Sequence, residues 1–127
     1  MEKKIVLTHE PIVVRPLALS SNEAGACVEF QGIVREMEKG RALGGLHYEA
    51  YEPMALRQLD RMFNELGGRH PCHAVTFIHR LGWVPVGEAS LFIRVVAAHR
   101  GEAFSLCRLA IEQLKKDVPI WKIAHRE

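Results

Sequence analysis

Hydrophobic residues along this chain change period several times, and each change marks an element. From Gly25 to Arg35, Ala26, Val28 and Phe30 alternate with Cys27, Glu29 and Gln31, the two-residue period of a strand. Two shorter strands are predicted before it, over residues 3–7 and 11–15. Pro11 and Pro16 keep those segments from continuing as helix. Ser20-Ser21-Asn22-Glu23 is a turn cluster. Glu36 to Gly45 is polar and glycine-bearing and reads as a mobile loop, and Leu46 to Tyr51 reads as another strand. The period then lengthens. Pro53 can open a helix at its first position, and behind it Ala55, Leu59, Met62, Phe63 and Leu66 recur at helical spacing until Gly67-Gly68 closes the element. His73 to Arg80 returns to strand. Leu91 to Ala98 is almost continuously apolar, as in a strand covered on both faces. After His99-Arg100-Gly101 a second helix runs to about Asp117, is stopped by Pro119, and leads into a final strand.

Two helices laid on one mostly antiparallel or mixed sheet bury those apolar faces most simply, so the predicted class is α+β. No repeat, low-complexity block or linker interrupts the chain, and residues 1–127 read as one domain. Composition changes this picture little. A hydrophobic share of 48% with 25% charged residues is that of an ordinary globular protein. No apolar run approaches the roughly 18 residues of a membrane span, and the apolar stretch at Ile5-Val6-Leu7 is too short for a signal peptide. Cys27, Cys72 and Cys107 are odd in number and widely spaced, which fits reduced thiols in a cytoplasmic protein better than a disulfide framework. A net charge of +2 does not call for nucleic acid, and Tyr48, Tyr51, Trp83 and Trp121 do not interleave with a basic stripe.

Candidate chemistry concentrates in the second helix and just outside it. At 100° per residue, Phe104, Cys107, Ala110, Ile111 and Leu114 occupy one arc, and Lys115 projects from its rim. Lys116 falls instead on the polar side, in series with Glu112 and Arg108. Lys115 can be read as a stem snorkelling along the core edge or a cation complementing the helix C-terminus. It can equally be a partly desolvated amine suited to proton transfer or covalent chemistry. Lys122 lies seven residues on, beyond Pro119, where the chain can bring it back toward Lys115. His99-Arg100-Gly101 stands where a buried strand meets a helix N-terminus. Free backbone N–H groups and an arginine fork there suit phosphate, although a solvated arginine and a capping histidine would look the same. Arg35 ends its strand and is a further anion ligand or an ordinary strand-end residue. His70-Pro71-Cys72-His73 matches no common zinc spacing, so no metal is expected. Neither a glycine-rich phosphate loop nor a nucleophile elbow is present.

Five segments, in order, carry a resemblance. They are Phe30-Gln31-Gly32-Ile33-Val34-Arg35, Tyr48-Glu49-Ala50-Tyr51-Glu52-Pro53-Met54-Ala55, Ile78-His79-Arg80-Leu81-Gly82, Ala98-His99-Arg100-Gly101-Glu102-Ala103-Phe104 and Leu114-Lys115-Lys116-Asp117-Val118-Pro119-Ile120-Trp121-Lys122. Together they resemble the catalytic (large) subunit family of molybdopterin synthase. The resemblance implies an α/β hammerhead-type fold and a homodimer that becomes a heterotetramer with two ubiquitin-like small subunits. Each small subunit would end in a Gly-Gly thiocarboxylate. The implied reaction transfers sulfur from those tails to cyclic pyranopterin monophosphate, making molybdopterin for molybdenum cofactor biosynthesis, with no metal or other cofactor in the step. Lys115 and Lys122 match the family's two active-site lysines. His99 and Arg100 match a substrate-binding pair supplied by the neighbouring subunit, and Arg35 with the Ile33-Val34 backbone matches another part of the substrate site. Ile123 and Ala124 fall at substrate-site positions, but where the family often has an acidic residue shortly after the second lysine, this chain has only these two apolar ones. Family members also commonly continue with a further tail. A paralogue that binds the partner or a phosphorylated metabolite without catalysis is the alternative expectation.

Overall fold

The computed structural model describes residues 1–19 and 21–125, the last two of these by backbone alone. Its elements in chain order are β1 (Glu2–Thr8), β2 (Ala26–Ile33), β3 (Met37–Glu38), β4 (Arg41–Ala42), β5 (Gly45–Ala50), α1 (Glu52–Arg69), β6 (Ala74–Arg80), β7 (Gly82–Pro85), β8 (Ala89–Ala97), α2 (Arg100–Asp117) and β9 (Ile120–His125). Four strands form a mixed sheet in the order β1-β6-β8-β2. The β1–β6 pair is parallel and the other two pairs are antiparallel. A smaller antiparallel sheet has the order β7-β5-β9, and β3 pairs only with β4. The α+β class with two main helices is as the patterning predicts.

Both helices lie against the large sheet. Ala55, Leu59, Met62, Phe63 and Leu66 of α1 and Ala103, Leu106, Cys107, Ala110 and Leu114 of α2 meet Val75, Phe77, Ile93 and Val95 in one apolar core. Phe77, on the central strand β6, is fully enclosed and takes the ring of Phe63 edge-on at 5.8 Å. A phenylalanine so placed contributes about 3–5 kcal/mol against alanine.

Several sequence expectations change here. Residues 11–15 form no strand: the segment runs irregular and mostly exposed, and Pro11 within it and Pro16 just after it leave it poorly suited to a ladder. The expected loop at 36–45 contains the β3–β4 hairpin, turned by Lys39 and Gly40 with φ of 52° and 76°. Gly67-Gly68 does not end α1, which continues to Arg69. Phe104 lies 59% exposed, outside the arc proposed for it. The buried arc centres on Ala103, Ala110 and Leu114, and the 100° step puts Phe104, Ile111 and Lys115 together on its flank.

Two crossings make the small sheet possible. After β6 the chain turns at Gly82, whose φ of 81° favours glycine, and enters β7. After α2, Val118 and Pro119 leave helical geometry and β9 begins. Strands of the small sheet thereby pass in front of the C-terminal end of α2 and one end of the large sheet.

Candidate functional site

The space between those elements is a cavity of about 520 Å³. Its walls come from β2 and the residues after it (Phe30, Gly32, Ile33, Val34, Arg35), from Glu38, from β5 (Leu46, Tyr48), from His79 and Leu91, from α2 (Ile111, Leu114, Lys115) and from β9 (Ile120, Trp121, Lys122). Three cations far apart in sequence, Arg35, Lys115 and Lys122, thus line one space.

Each arrives there for a local reason. In β2 the register with β8 shifts between Gly32 and Ile33, a bulge that turns the strand end. Beyond it the Val34 N–H donates to Glu88 O at 3.0 Å, and Gly87 N–H donates to Val34 O at 2.9 Å. The Glu88 carboxylate in turn holds Arg80 at 2.7 Å, so Val34 is pinned and Arg35 follows at the rim. Lys115 occupies the flank of α2 next to Ile111, as its helical phase predicts, and lines the cavity while remaining an exposed residue of the single chain. Lys122 stands opposite Tyr48 in the β5–β9 ladder, so both side chains leave the same face of the sheet.

Among the lining residues that sequence reasoning did not single out, a carboxylate and an imidazole matter most for the site's charge. Glu38, on β3, accepts a hydrogen bond from Lys122 Nζ at 2.6 Å. That bond, opposed by burial and aided by the charges of Lys122, Arg35 and Lys39, holds its carboxyl below the usual range. Its position in a polar stretch next to Lys39-Gly40 gave no sign of a partner 84 residues away. His79 is 4% exposed, and burial pushes its imidazole below the ordinary value of 6.5, opposed by its bond to the backbone. Its Nδ1 lies 2.8 Å from Arg80 O. A carbonyl only accepts, so Nδ1 carries the proton and Nε2 is the acceptor nitrogen. Tyr48 packs edge-on against this ring at 5.0 Å. The histidine lies inside a motif used for the family resemblance, which was the one available signal.

The remaining expected site residues lie elsewhere. His99 caps α2 without a side-chain hydrogen bond, and Arg100 begins the helix; both are exposed. Fifteen residues at 1.5 Å each put Arg100 about 22 Å along the helix from Lys115, so it does not share the cavity within one chain. Ile123 alternates to the face away from Lys122 and is exposed. The Ala124 backbone pairs with Leu46, and its side chain is outside the described residues. Cys72, in the His70–His73 stretch, donates its S–H to His70 O at 3.3 Å and Glu102 O at 3.7 Å; burial, with the Glu102 charge beside it, pushes the thiol up to about 11.

Fold and cavity together define an α+β protein with a pocket lined by three cations, Arg35, Lys115 and Lys122. Residues 7–117 match the family model described as MoaE protein, and the chain belongs to that family. It is 43% identical over 99 residues to a molybdopterin synthase catalytic subunit of Oryza sativa subsp. japonica, covering 78% of this chain and 51% of that protein. A second relative of that name, from Nostoc sp., is 37% identical over 128 residues, covering 98% and 78% of the two chains. The X-ray structure of molybdopterin synthase from Staphylococcus aureus superposes with a TM-score of 0.82 at 33% identity, covering 99% of this chain and 90% of that one. The chain spans about half the length of the rice and Arabidopsis relatives that it matches.

Proposed function

We propose that this protein is the catalytic subunit of a molybdopterin synthase. It would transfer sulfur from the Gly-Gly thiocarboxylate of a ubiquitin-like small subunit to cyclic pyranopterin monophosphate in the cytoplasm. The observation that carries the reading is the convergence of Arg35, Lys115 and Lys122 on one cavity. A phosphorylated substrate and a thiocarboxylate tail are both anions, and a pocket serving both must gather cations. The apolar walls suit the same task. Leu46, Leu91, Leu114 and Ile120 limit water around an acyl-linked intermediate that hydrolysis would otherwise destroy too early.

In this scheme the thiocarboxylate sulfur attacks a carbon of the pterin side chain, and the new C–S bond forms as that carbon's C–O bond breaks and its oxygen leaves, on phosphate or as water, which gives a thioester. Hydrolysis then leaves the sulfur on the pterin and releases the tail as a carboxylate. Lys115 moves protons or holds the tail carbonyl during these steps, and Lys122 stabilises developing negative charge. Arg35, with the Ile33-Val34 backbone, holds the substrate, and the backbone at Ile123 and Ala124 borders it. His99 and Arg100 act from a neighbouring copy. The 22 Å run of α2 favours that division, because one chain cannot bring both ends of the helix to one ligand. The assembly is accordingly a homodimer, and a heterotetramer with two small subunits.

The test is conversion of the cyclic precursor by this protein with a thiocarboxylated partner. Native protein is expected to form product, and Lys115→Ala to lose nearly all turnover. Full turnover by Lys115→Ala sinks the assignment. Partner binding without product by the native chain would favour a non-catalytic paralogue.

A further inference from the structure

One group in the cavity runs against its cationic character. Glu38 is the only carboxylate among the described lining residues, and it is engaged by Lys122 at 2.6 Å. Its side chain is 17% exposed, whereas that of Lys122 is 51% exposed. The acid is therefore the more enclosed partner and sits where the amine would meet an incoming anion.

The segment that carries Glu38 is lightly held. Strands β3 and β4 pair over two residue rows only, Met37 with Ala42 and Glu38 with Arg41, and join neither larger sheet. Met37, Arg41 and Ala42 are exposed. The base of the hairpin is fixed by the Leu43 N–H bond to Glu36 O at 2.8 Å and by burial of Leu43 beside Val34, Leu46 and Val84. A two-row hairpin with a fixed base and an exposed tip opens at small cost. Its ion pair to Lys122 ties the tip across the cavity.

We propose that Glu38 is a resident counter-anion for Lys122, carried on the β3–β4 hairpin, which an anionic ligand must displace to reach the amine. The inference rests on the anion-binding reading of the cavity and adds a selection step to it. A second anion drawn to Lys122 repels the carboxylate at short range, so the two do not share the amine without cost. Released from Lys122, Glu38 still has the positive charges of Arg35 and Lys39 nearby, the same groups that help hold its carboxyl ionised. A singly charged ligand with no other hold competes poorly with the tethered carboxylate. A ligand whose phosphate also meets Arg35 displaces it.

Inorganic phosphate is the probe, titrated into native protein, Glu38→Gln, Lys122→Met, the double variant and Glu36→Gln, and followed by calorimetry or phosphorus NMR. Glu38→Gln is expected to bind phosphate about two- to fivefold more tightly than native protein, the range of an exposed ion pair. The gain should vanish when Lys122→Met is also present. Glu36→Gln removes an equal charge one strand position outside the hairpin and should leave affinity unchanged. If native protein binds phosphate and Glu38→Gln binds no more tightly, the counter-anion role is wrong while the anion pocket stands. An equal gain in Glu36→Gln also overturns it, since general charge would then be the cause. If neither native protein nor Glu38→Gln binds phosphate, both readings fail.

Discussion

Tyr48 and Lys122 face each other across the β5–β9 ladder, and the Tyr48 ring also packs edge-on against His79 at 5.0 Å. Tyr48 is therefore the cross-strand neighbour of an exposed amine and the packing partner of a buried imidazole, and all three line the cavity. Tyr48→Phe retains the ring and should leave stability and substrate affinity close to native. Tyr48→Ala loses the edge contact, worth about 0.5–1.5 kcal/mol beyond buried area, and leaves a gap beside Lys122. Its KM should rise by more than its kcat falls, as measured by turnover of the cyclic precursor. Equal loss from Tyr48→Phe would mean that the hydroxyl, not the ring, matters.

His79 makes stability depend on pH in a defined direction. Its folded value lies below the ordinary 6.5 because burial disfavours the imidazolium. Below 6.5 the unfolded chain takes up a proton that the folded chain refuses, so the stability present above that pH is lost as pH falls toward the folded value. The loss is about 1.4 kcal/mol per pH unit within that window. Urea midpoints should fall between pH 7 and 5.5, and His79→Gln, though less stable at pH 7, should show a flatter profile. An unchanged slope in His79→Gln would assign the dependence to another group.

Gly45 starts β5 where a Cβ would sit 2.5 Å from Val84 O and 2.6 Å from the Trp83 ring. Backbone cannot move aside as a side-chain tip can, so Gly45→Ala must part β5 from β7 and disturb Leu46 and Tyr48 behind it. Gly87 has a φ of 87° but open space around it. Gly87→Ala should cost only the strain of left-handed backbone, roughly 1–2 kcal/mol. Thermal denaturation should rank Gly45→Ala as clearly the worse of the two, and the reverse order would contradict the β5–β7 packing.

What was legible in the sequence follows from range. The α1 core residues and the strand from Ala26 were readable because a repeating period records which face is buried. Lys115 was legible for the same reason, since its phase on α2 sets it beside Ile111. Phe104 was misplaced because the small residues Ala103 and Ala110 mark the true centre of that face and weigh little in a reading by bulk. Glu38 was invisible, because a two-row hairpin is too short to set a period and its partner Lys122 lies far along the chain. Lys122 itself was recognisable only through the family motif, since a ladder position opposite Tyr48 depends on pairing that no local pattern encodes.

Whether the site is shared between copies is open to a mixing experiment. Arg100 and Lys115 lie at opposite ends of α2, about 22 Å apart, so a ligand that needs both must sit between two chains. Arg100→Ala and Lys115→Ala should each be nearly inactive alone. In a symmetric dimer with two shared sites, random exchange makes half the dimers mixed. Each mixed dimer holds one site carrying both lesions and one carrying neither. Incubating the two variants together under conditions of subunit exchange should then restore about a quarter of native activity. No recovery, with exchange confirmed by native mass spectrometry, would mean that Arg100 serves no site in the partner.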